Sequence, residues 1–270
     1  MSAFASHFSF EFRTGLRNKT SLLMNYLFPL GLYVLLGFLM AELNPDFVPT
    51  MIPAMIIVAI LSGTILGMPN PLVAAREAGI FRSYKINGVP ASSILTIPAL
   101  TTALHMVVVA VIITATASPL FDAPLPTNWA AFILVFLLAA FACAGLGLLI
   151  GVISSSAQAT VLWAQLVFLP SMLIGGLMLP SSLLPEAFGK VGLLLPSSHA
   201  MNAFKGWTLD QTASFDPLWS IIILLAGGIL SWGLAIYLFS WDDRNATRRG
   251  HPALALVALL PYAIAAALLP

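Results

Sequence analysis

The chain has 270 residues, of which 60% are hydrophobic and only 8% are charged, against roughly 25% charged in an average soluble protein. Its mean hydropathy is +0.99, and several apolar stretches reach the roughly 18 residues that a membrane-crossing helix needs. A net charge of +1 gives no reason to expect a nucleic-acid partner. The composition excludes an ordinary soluble domain and predicts a polytopic membrane protein that lies in a lipid bilayer.

Six apolar stretches predict an all-α membrane bundle that forms a single domain over residues 1–270. At ~1.5 Å per residue, each is long enough to cross a hydrocarbon core about 30 Å thick. The predicted spans are Thr20–Met40, Val48–Pro69, Ser92–Ala117, Trp129–Ile153, Ala159–Leu179 and Pro217–Ser240.

The N-terminal segment, residues 1–19, has a different pattern from the spans. Apolar residues recur every fourth position, at Phe4, Phe8, Phe12 and Leu16. Arg13 and Arg17 fall on the opposite face of the same helix. This arrangement favours a helix that lies in the membrane interface, with a disordered tail as the alternative.

The C-terminal segment, residues 241–270, contains a polar turn followed by a seventh apolar stretch, Ala253–Leu269. This stretch contains Pro261 and is barely long enough to cross a bilayer. The sequence leaves two alternatives open, a marginal crossing or a helix at the inner interface.

Basic residues give the expected orientation. Three clusters of three hold most of the Lys and Arg residues: Arg13, Arg17 and Lys19; Arg76, Arg82 and Lys85; Arg244, Arg248 and Arg249. With six spans, all three clusters fall on one side of the membrane, and only Lys190 and Lys205 fall on the other. The positive-inside rule therefore places the N-terminus and the second cluster in the cytoplasm.

The loop between the second and third spans, residues 70–91, concentrates charge in an otherwise apolar chain. Taken as one helix, it places Val73, Ile80 and Tyr84 close together on one face, with Arg82 and Lys85 on the other side. A turn at Asn87-Gly88 ends this pattern. The pattern predicts a short amphipathic helix parallel to the membrane, and the alternative is a basic loop that only sets topology.

The connection between the fifth and sixth spans, residues 180–216, is apolar but too interrupted to cross the membrane. Its pieces Leu183–Val191 and Gly192–Leu195 are short and are separated by Gly and Pro. They favour a pair of short re-entrant or interfacial helices on the outer side. An ordinary extracellular loop would be more polar.

Small residues form one face of the fourth predicted span, at Cys143, Gly147 and Gly151. Such a face allows close approach of a second helix. Packing inside one bundle and packing between subunits both remain possible.

No catalytic, cofactor or metal site is expected from the motifs. The four histidines, His7, His105, His199 and His251, lie in different segments, and Cys143 is the only cysteine. The glycine-rich phosphate loop of nucleotide-binding proteins is absent, so any use of ATP would need a separate polypeptide. The spans contain no acidic or basic residue well inside the membrane, which disfavours an ion-driven carrier.

The order of these parts resembles that of the membrane permease subunits of the type-2 ABC exporter family. The resemblance rests on the N-terminal helix, on Arg-Glu-x-Gly-x-x-Arg over residues 76–82, on the apolar outer hairpin, and on the segment 195–206, Leu-Pro-Ser-Ser-His-Ala-Met-Asn-Ala-Phe-Lys-Gly. It covers nearly the whole chain, although the apolar C-terminal stretch departs from a simple pattern of six spans.

The resemblance implies a permease subunit, not an enzyme, in a prokaryotic plasma membrane. It implies two permease copies, identical or homologous, and two P-loop ATPase subunits, which together export a hydrophobic or amphipathic drug, antibiotic or lipid-like substrate. The residues expected at the ATPase are Arg76, Glu77, Gly79, Arg82 and Lys85, with a second contact at Ser155 and Gln158. Those expected at an outer gate are Glu186, Pro196, His199 and Asn202. A secondary carrier or channel is the alternative, and an intramembrane transferase is a weaker one.

Overall fold

The computed structural model describes residues 3–178, 185–242 and 250–269, and in these ranges the chain forms helices and no strands. Six of the helices are long and apolar enough to cross a membrane, as the sequence predicts. The elements are α1 (Ala3–Arg17), α2 (Lys19–Met40), α3 (Phe47–Glu77), α4 (Ile80–Ile86), α5 (Ala91–Phe121), α6 (Trp129–Ile153), α7 (Ala157–Ile174), α8 (Glu186–Gly192), α9 (Pro196–Thr208), α10 (Pro217–Leu238) and α11 (Pro252–Leu268).

Helix boundaries differ from the predicted spans mostly where a helix continues past its apolar window. α3 extends eight residues beyond the predicted Pro69, to Glu77, because helical hydrogen bonding does not stop at the membrane surface. α7 is shorter than predicted and ends at Ile174. Gly176, which has a positive φ of 74°, follows shortly after that end, a backbone conformation that glycine adopts at no steric cost.

The core of the bundle is built around α3. Every residue from Met51 to Leu61 is buried, and 89% of the apolar window of this helix is buried, against 28% in α2 and in α7. α3 packs on α5 and α6, and α6 packs closely along α10. α2 and α7 therefore lie at the periphery, where they touch through Phe28 and Phe168, with ring centroids 5.9 Å apart.

Two π-helical segments face each other inside the bundle, Leu23–Leu27 in α2 and Ser62–Gly67 in α3. The Ser62 hydroxyl joins them by donating to the backbone carbonyl of Met24 at 2.7 Å. A π-helical turn frees backbone groups and often marks a functional site. Neither segment is predicted by the apolar pattern of the sequence.

Small residues of α6 face α3 within the same chain. A Cβ placed on Gly147 would lie 2.1 Å from the backbone oxygen of Thr64, and one on Gly151 would lie 3.2 Å from the backbone of Pro69. Cys143 is buried as well. Gly147 and Gly151 therefore contact α3 within the same chain.

α11 runs antiparallel to α10. Gly250, which precedes α11, lies beside Leu238 at the C-terminal end of α10. Tyr262 lies against Gly227 near the middle of α10, and Ala265 packs with Ile223, closer to the N-terminal end of α10. The first part of α11, Pro252–Leu259, is a 3₁₀-helix and the rest is α-helical.

Candidate functional site

The loop after the second span is two helical pieces and not the single helix that the sequence predicts. α3 ends at Glu77, Gly79 adopts a φ of 74°, and α4 begins at Ile80. This left-handed residue changes the direction of the chain, so the predicted common face of Val73, Ile80 and Tyr84 does not form. Val73 is buried, whereas Ile80 is 43% exposed and Phe81 takes the buried position at the start of α4.

Arg76 is buried and holds the end of α3 on the end of α6. Its guanidinium donates to the carbonyl of Val152 at 3.0 Å and to the carbonyl of Ser154. The last carbonyls of a helix lack partners within the helix and carry partial negative charge, so a buried cation is well placed there. Arg76 therefore lies beneath the surface on which the sequence analysis placed it.

The other predicted contact residues reach solvent around this buried arginine. We define the loop surface as seven of the exposed side chains in residues 77–86, in the loop after α6 and in the first turn of α7: Glu77, Ile80, Arg82, Lys85, Ile86, Ser155 and Gln158. Gly79 is partly exposed between the two helical pieces. Ile86, which is 80% exposed, is not among the predicted contact residues, because those residues were chosen for their charge and for their place in the motif.

α4 is also attached to the end of α10. The Phe81 ring packs on Phe239 with centroids 5.5 Å apart, and Arg82 forms an ion pair with Asp242. An exposed ion pair adds little stability by itself, but here it lies beside a buried aromatic contact. The loop surface is therefore connected to α6 through Arg76 and to α10 through α4.

The N-terminal helix α1 lies at the same end of the bundle, which we call the loop end. The Phe12 ring stacks on His105 of α5 with centroids 5.0 Å apart. Burial and the nearby Glu11 carboxylate raise the pKa of Tyr84 in α4. Arg13, Arg17 and Lys19 are exposed, so two of the three basic clusters share this end, and Arg244, Arg248 and Arg249 lie outside the described residues.

The opposite end, which we call the hairpin end, holds two short helices, α8 and α9. The helix α8 overlaps the predicted piece Leu183–Val191, whereas the piece Gly192–Leu195 lies at the connection between the helices, and α9 begins only at Pro196. Asn202 ties α9 to the start of α10: its amide group donates to the Phe215 carbonyl and to the Ser220 hydroxyl, both at 3.0 Å, and accepts from the Ser214 backbone at 2.8 Å. These bonds give Asn202 a structural role, which the motif alone did not reveal.

The remaining predicted gate residues are placed as follows. His199 is fully buried, donates to the Leu193 carbonyl at 2.8 Å, and has its pKa lowered to about 4 by burial. Pro196 is buried at the first position of α9, and Glu186 begins α8, although its side chain lies outside the described part. His199 thus joins α8 to α9 as a neutral donor.

A family model described as ABC-2 type transporter matches residues 3–208, from the start of α1 to the end of α9. Comparison with curated proteins and with solved structures gave no match. α10 and α11 lie beyond the matched region, although α10 packs on α6 and α9 within it. The match covers well over half of the chain, and the chain belongs to the ABC-2 type transporter family as a multi-pass membrane permease.

Proposed function

We propose that the chain is the membrane subunit of an ATP-driven exporter that moves a hydrophobic or amphipathic substrate outward. Membership of the family implies an ATPase partner subunit. The proposed complex contains two permease copies, identical or homologous, and two P-loop ATPase subunits in a prokaryotic plasma membrane. The loop end and the N-terminus face the cytoplasm in this proposal, in agreement with the positive-inside rule.

The loop surface is the observation that carries the proposal. It presents charged side chains of both signs beside exposed Ile80 and Ile86. Apolar contacts with a charged rim are typical of protein interfaces. An ATPase subunit would therefore find both a hydrophobic contact and complementary charges at one end of the bundle.

The contacts beneath the loop surface suggest how it transmits motion. A partner that pushes on Glu77 acts on α3, and Arg76 carries that displacement to the end of α6. A push on α4 reaches α10 through Phe81 and Phe239. Because these buried contacts are close-packed, a displacement is passed on rather than absorbed.

The peripheral helices supply the area for the remaining partners. α2 and α7 expose large apolar side chains, among them Leu35, Phe38, Leu162 and Leu166. A surface of this kind suits lipid or a second permease copy. At the hairpin end, α8 and α9 would close the exit of the transport path.

The first test exchanges one charge on the loop surface. Glu77→Lys places a cation where the proposal expects a contact with the ATPase, so we expect it to abolish most of the stimulation of ATP hydrolysis, while the permease remains in the membrane at a normal level. The matched control is Glu42→Lys, since Glu42 is also exposed but lies at the hairpin end. The measurement is ATPase activity in proteoliposomes that contain both subunits.

Equal stimulation by the Glu77→Lys and Glu42→Lys proteins would show that the loop surface is not the coupling site. If the wild-type permease neither binds nor stimulates a P-loop ATPase encoded beside it, the carrier or channel alternative takes precedence.

A further inference from the structure

A cavity of about 360 Å³ lies beneath α1, between this helix and α2, α3, α4 and α5. Its volume is within the range of small-molecule sites. It lies inside a single chain and reaches the loop surface only at Ile80. Nothing described so far for the proposed transport cycle uses it.

One side of the cavity is polar and includes an amide without a partner. The cavity is lined by Asn25, Thr102 and His105, and Asn25 lies in the π-helical segment of α2. Asn25 is 6% exposed, and within the described ranges its side chain makes no hydrogen bond. An amide offers two donors and an acceptor, and leaving these unpaired in a buried site costs free energy. The Asn25 amide is therefore open to the cavity and available to a polar group that enters it.

His105 is held in place and does not fill that need. Its Nδ1 atom makes a 2.6 Å hydrogen bond with the Tyr26 hydroxyl, and its ring stacks on Phe12. Glycines keep the space near Asn25 open, because a Cβ on Gly63 would lie 3.0 Å from the Asn25 amide oxygen. The Asn25 amide therefore lies between the fixed His105 ring and the open space beside Gly63.

The other side of the cavity is apolar and belongs to the helices that carry the loop surface. It is formed by Met68 and Leu72 of α3, Phe81 of α4 and Ile94 of α5. Among the described residues that line the cavity, none is Lys or Arg, and Glu11 is the only one that carries a charge. An anionic group would therefore find no cation among the described residues that line the cavity.

We propose that this cavity binds a small amphiphile with an uncharged, hydrogen-bonding head group. The head group pairs with the Asn25 amide, and the apolar part packs on Leu72 and Phe81. Because Phe81 also packs on Phe239 beneath the loop surface, the bound amphiphile contacts the segment that faces the ATPase. An effect of the bound amphiphile on ATP hydrolysis rests on the proposed function, whereas binding of the amphiphile in the cavity does not.

The test uses the purified permease alone in lipid nanodiscs, so its outcome is independent of the ATPase. The probe is a dodecylglycerol that carries a photoreactive diazirine in its alkyl chain, and labelled peptides are identified by mass spectrometry. We expect labelling of cavity residues in α3, α4 and α5, with competition by unlabelled dodecylglycerol. Dodecyl phosphate, which has the same chain and an anionic head, is expected to compete at least tenfold less well.

Two variants separate binding in the cavity from adsorption to the lipid-facing surface. Thr102→Phe fills the cavity and is expected to abolish the labelling, whereas Leu104→Phe changes a 45% exposed position of the same helix and should retain it. Asn25→Leu removes the amide at similar volume and is expected to weaken competition by dodecylglycerol about fivefold, the effect of one lost hydrogen bond.

The proposal is overturned if Thr102→Phe and Leu104→Phe label alike, if Asn25→Leu leaves competition unchanged, or if dodecyl phosphate competes as well as dodecylglycerol. Thermal unfolding of each variant in the same nanodiscs identifies any that fails to fold, and the competition series on the wild-type protein decides the question without the variants. A second arm adds the ATPase subunit. Binding without any change in ATP hydrolysis would contradict only the link to the loop surface.

Discussion

At the scale of single residues, Arg76 shows that a charge in a membrane protein can serve packing as well as docking. Its partners are backbone carbonyls at the end of α6, which would otherwise lack hydrogen bonds. A planar guanidinium can reach several of these oxygens at once, whereas a lysine ammonium is a compact point charge on a flexible chain. This position therefore favours an arginine over a lysine.

Replacement of Arg76 should affect stability and coupling together. Arg76→Met leaves the α6 carbonyls without donors, and each hydrogen bond to a charged group is worth about 1.5–3 kcal/mol. We expect a clear fall in the melting temperature of the purified permease and a loss of ATPase stimulation, with Arg76→Lys intermediate. Arg82→Met, at a side chain that is 56% exposed, is the control and should leave the melting temperature nearly unchanged. An unaltered melting temperature for Arg76→Met would refute the packing role.

His199 makes the hairpin end sensitive to acid. Burial lowers its pKa from the ordinary histidine value of 6.5 to about 4, so between these values the unfolded chain binds more protons than the folded one. The free energy of unfolding that depends on neutral His199 is therefore fully present above about pH 6.5 and falls as the pH falls toward 4. We expect the melting temperature to fall by several degrees between pH 7 and pH 4.5, and by less in His199→Gln. An equal fall in the two proteins would assign the acid sensitivity to other groups.

At the scale of elements, the contact between α3 and α6 depends on the absence of a side chain. Gly147 faces the backbone of Thr64, which lies in the π-helical segment of α3, and a Cβ there would come within 2.1 Å of the carbonyl oxygen. Neither backbone can move without disturbing the buried core around it. The packing of α6 on α3 therefore requires a residue without a side chain at position 147.

Two glycine-to-alanine substitutions test this contact against the effect of alanine alone. Gly147→Ala is expected to reduce the amount of folded permease severely, with a destabilisation of several kcal/mol from overpacking. Gly31→Ala in α2 is the control, because a Cβ there meets nothing within 4 Å and alanine favours a helix. The measurement is the folded yield by size-exclusion chromatography in detergent. Similar yields would mean that α3 and α6 can separate without cost.

The sequence predicts the elements better than their contacts. Apolar windows identify the six spans because lipid imposes a minimum length on every crossing helix. They do not show that Gly79 divides the loop in two, since a glycine can continue a helix or end it. Nor do they show that Arg76 points inward, because its partners are 75 to 78 residues away and become available only when α6 packs on α3. The exposed Ile86 and the unpartnered Asn25 likewise depend on tertiary structure.

At the scale of the whole molecule, the path of α11 determines on which side of the membrane Leu269 lies. Its 3₁₀ part has 8 residues and its α-helical part has 9, which at ~2.0 and ~1.5 Å per residue give roughly 30 Å. The 3₁₀ geometry thus provides the length that the same residues would lack as an α-helix. Together with the antiparallel contacts along α10, this length favours the crossing over the interfacial alternative.

Sided labelling of single cysteines tests the crossing. We replace Cys143 by alanine, introduce one cysteine at Leu269, and compare it with a cysteine at the exposed Lys85. If α11 crosses the bilayer, a membrane-impermeant maleimide added to intact cells will label Leu269→Cys only, and Lys85→Cys will react only in inverted vesicles. Labelling of Leu269→Cys and Lys85→Cys from the same side would show that α11 lies at the inner interface and does not cross.

The contacts of Arg76 also have a consequence for the order in which the molecule is made. Its carbonyl partners on α6 lie 75 to 78 residues downstream, so at ~5–20 residues per second a ribosome needs roughly 4–15 seconds to supply them. During that interval α3 enters the bilayer before most of the helices that later surround it. A uniformly apolar helix tolerates lipid on every side, and in α3 every residue from Met51 to Leu61 is uncharged and nonpolar. The apolar composition of α3 therefore suits contact with lipid before α6 is synthesised, and it also suits the final position of α3 in the core.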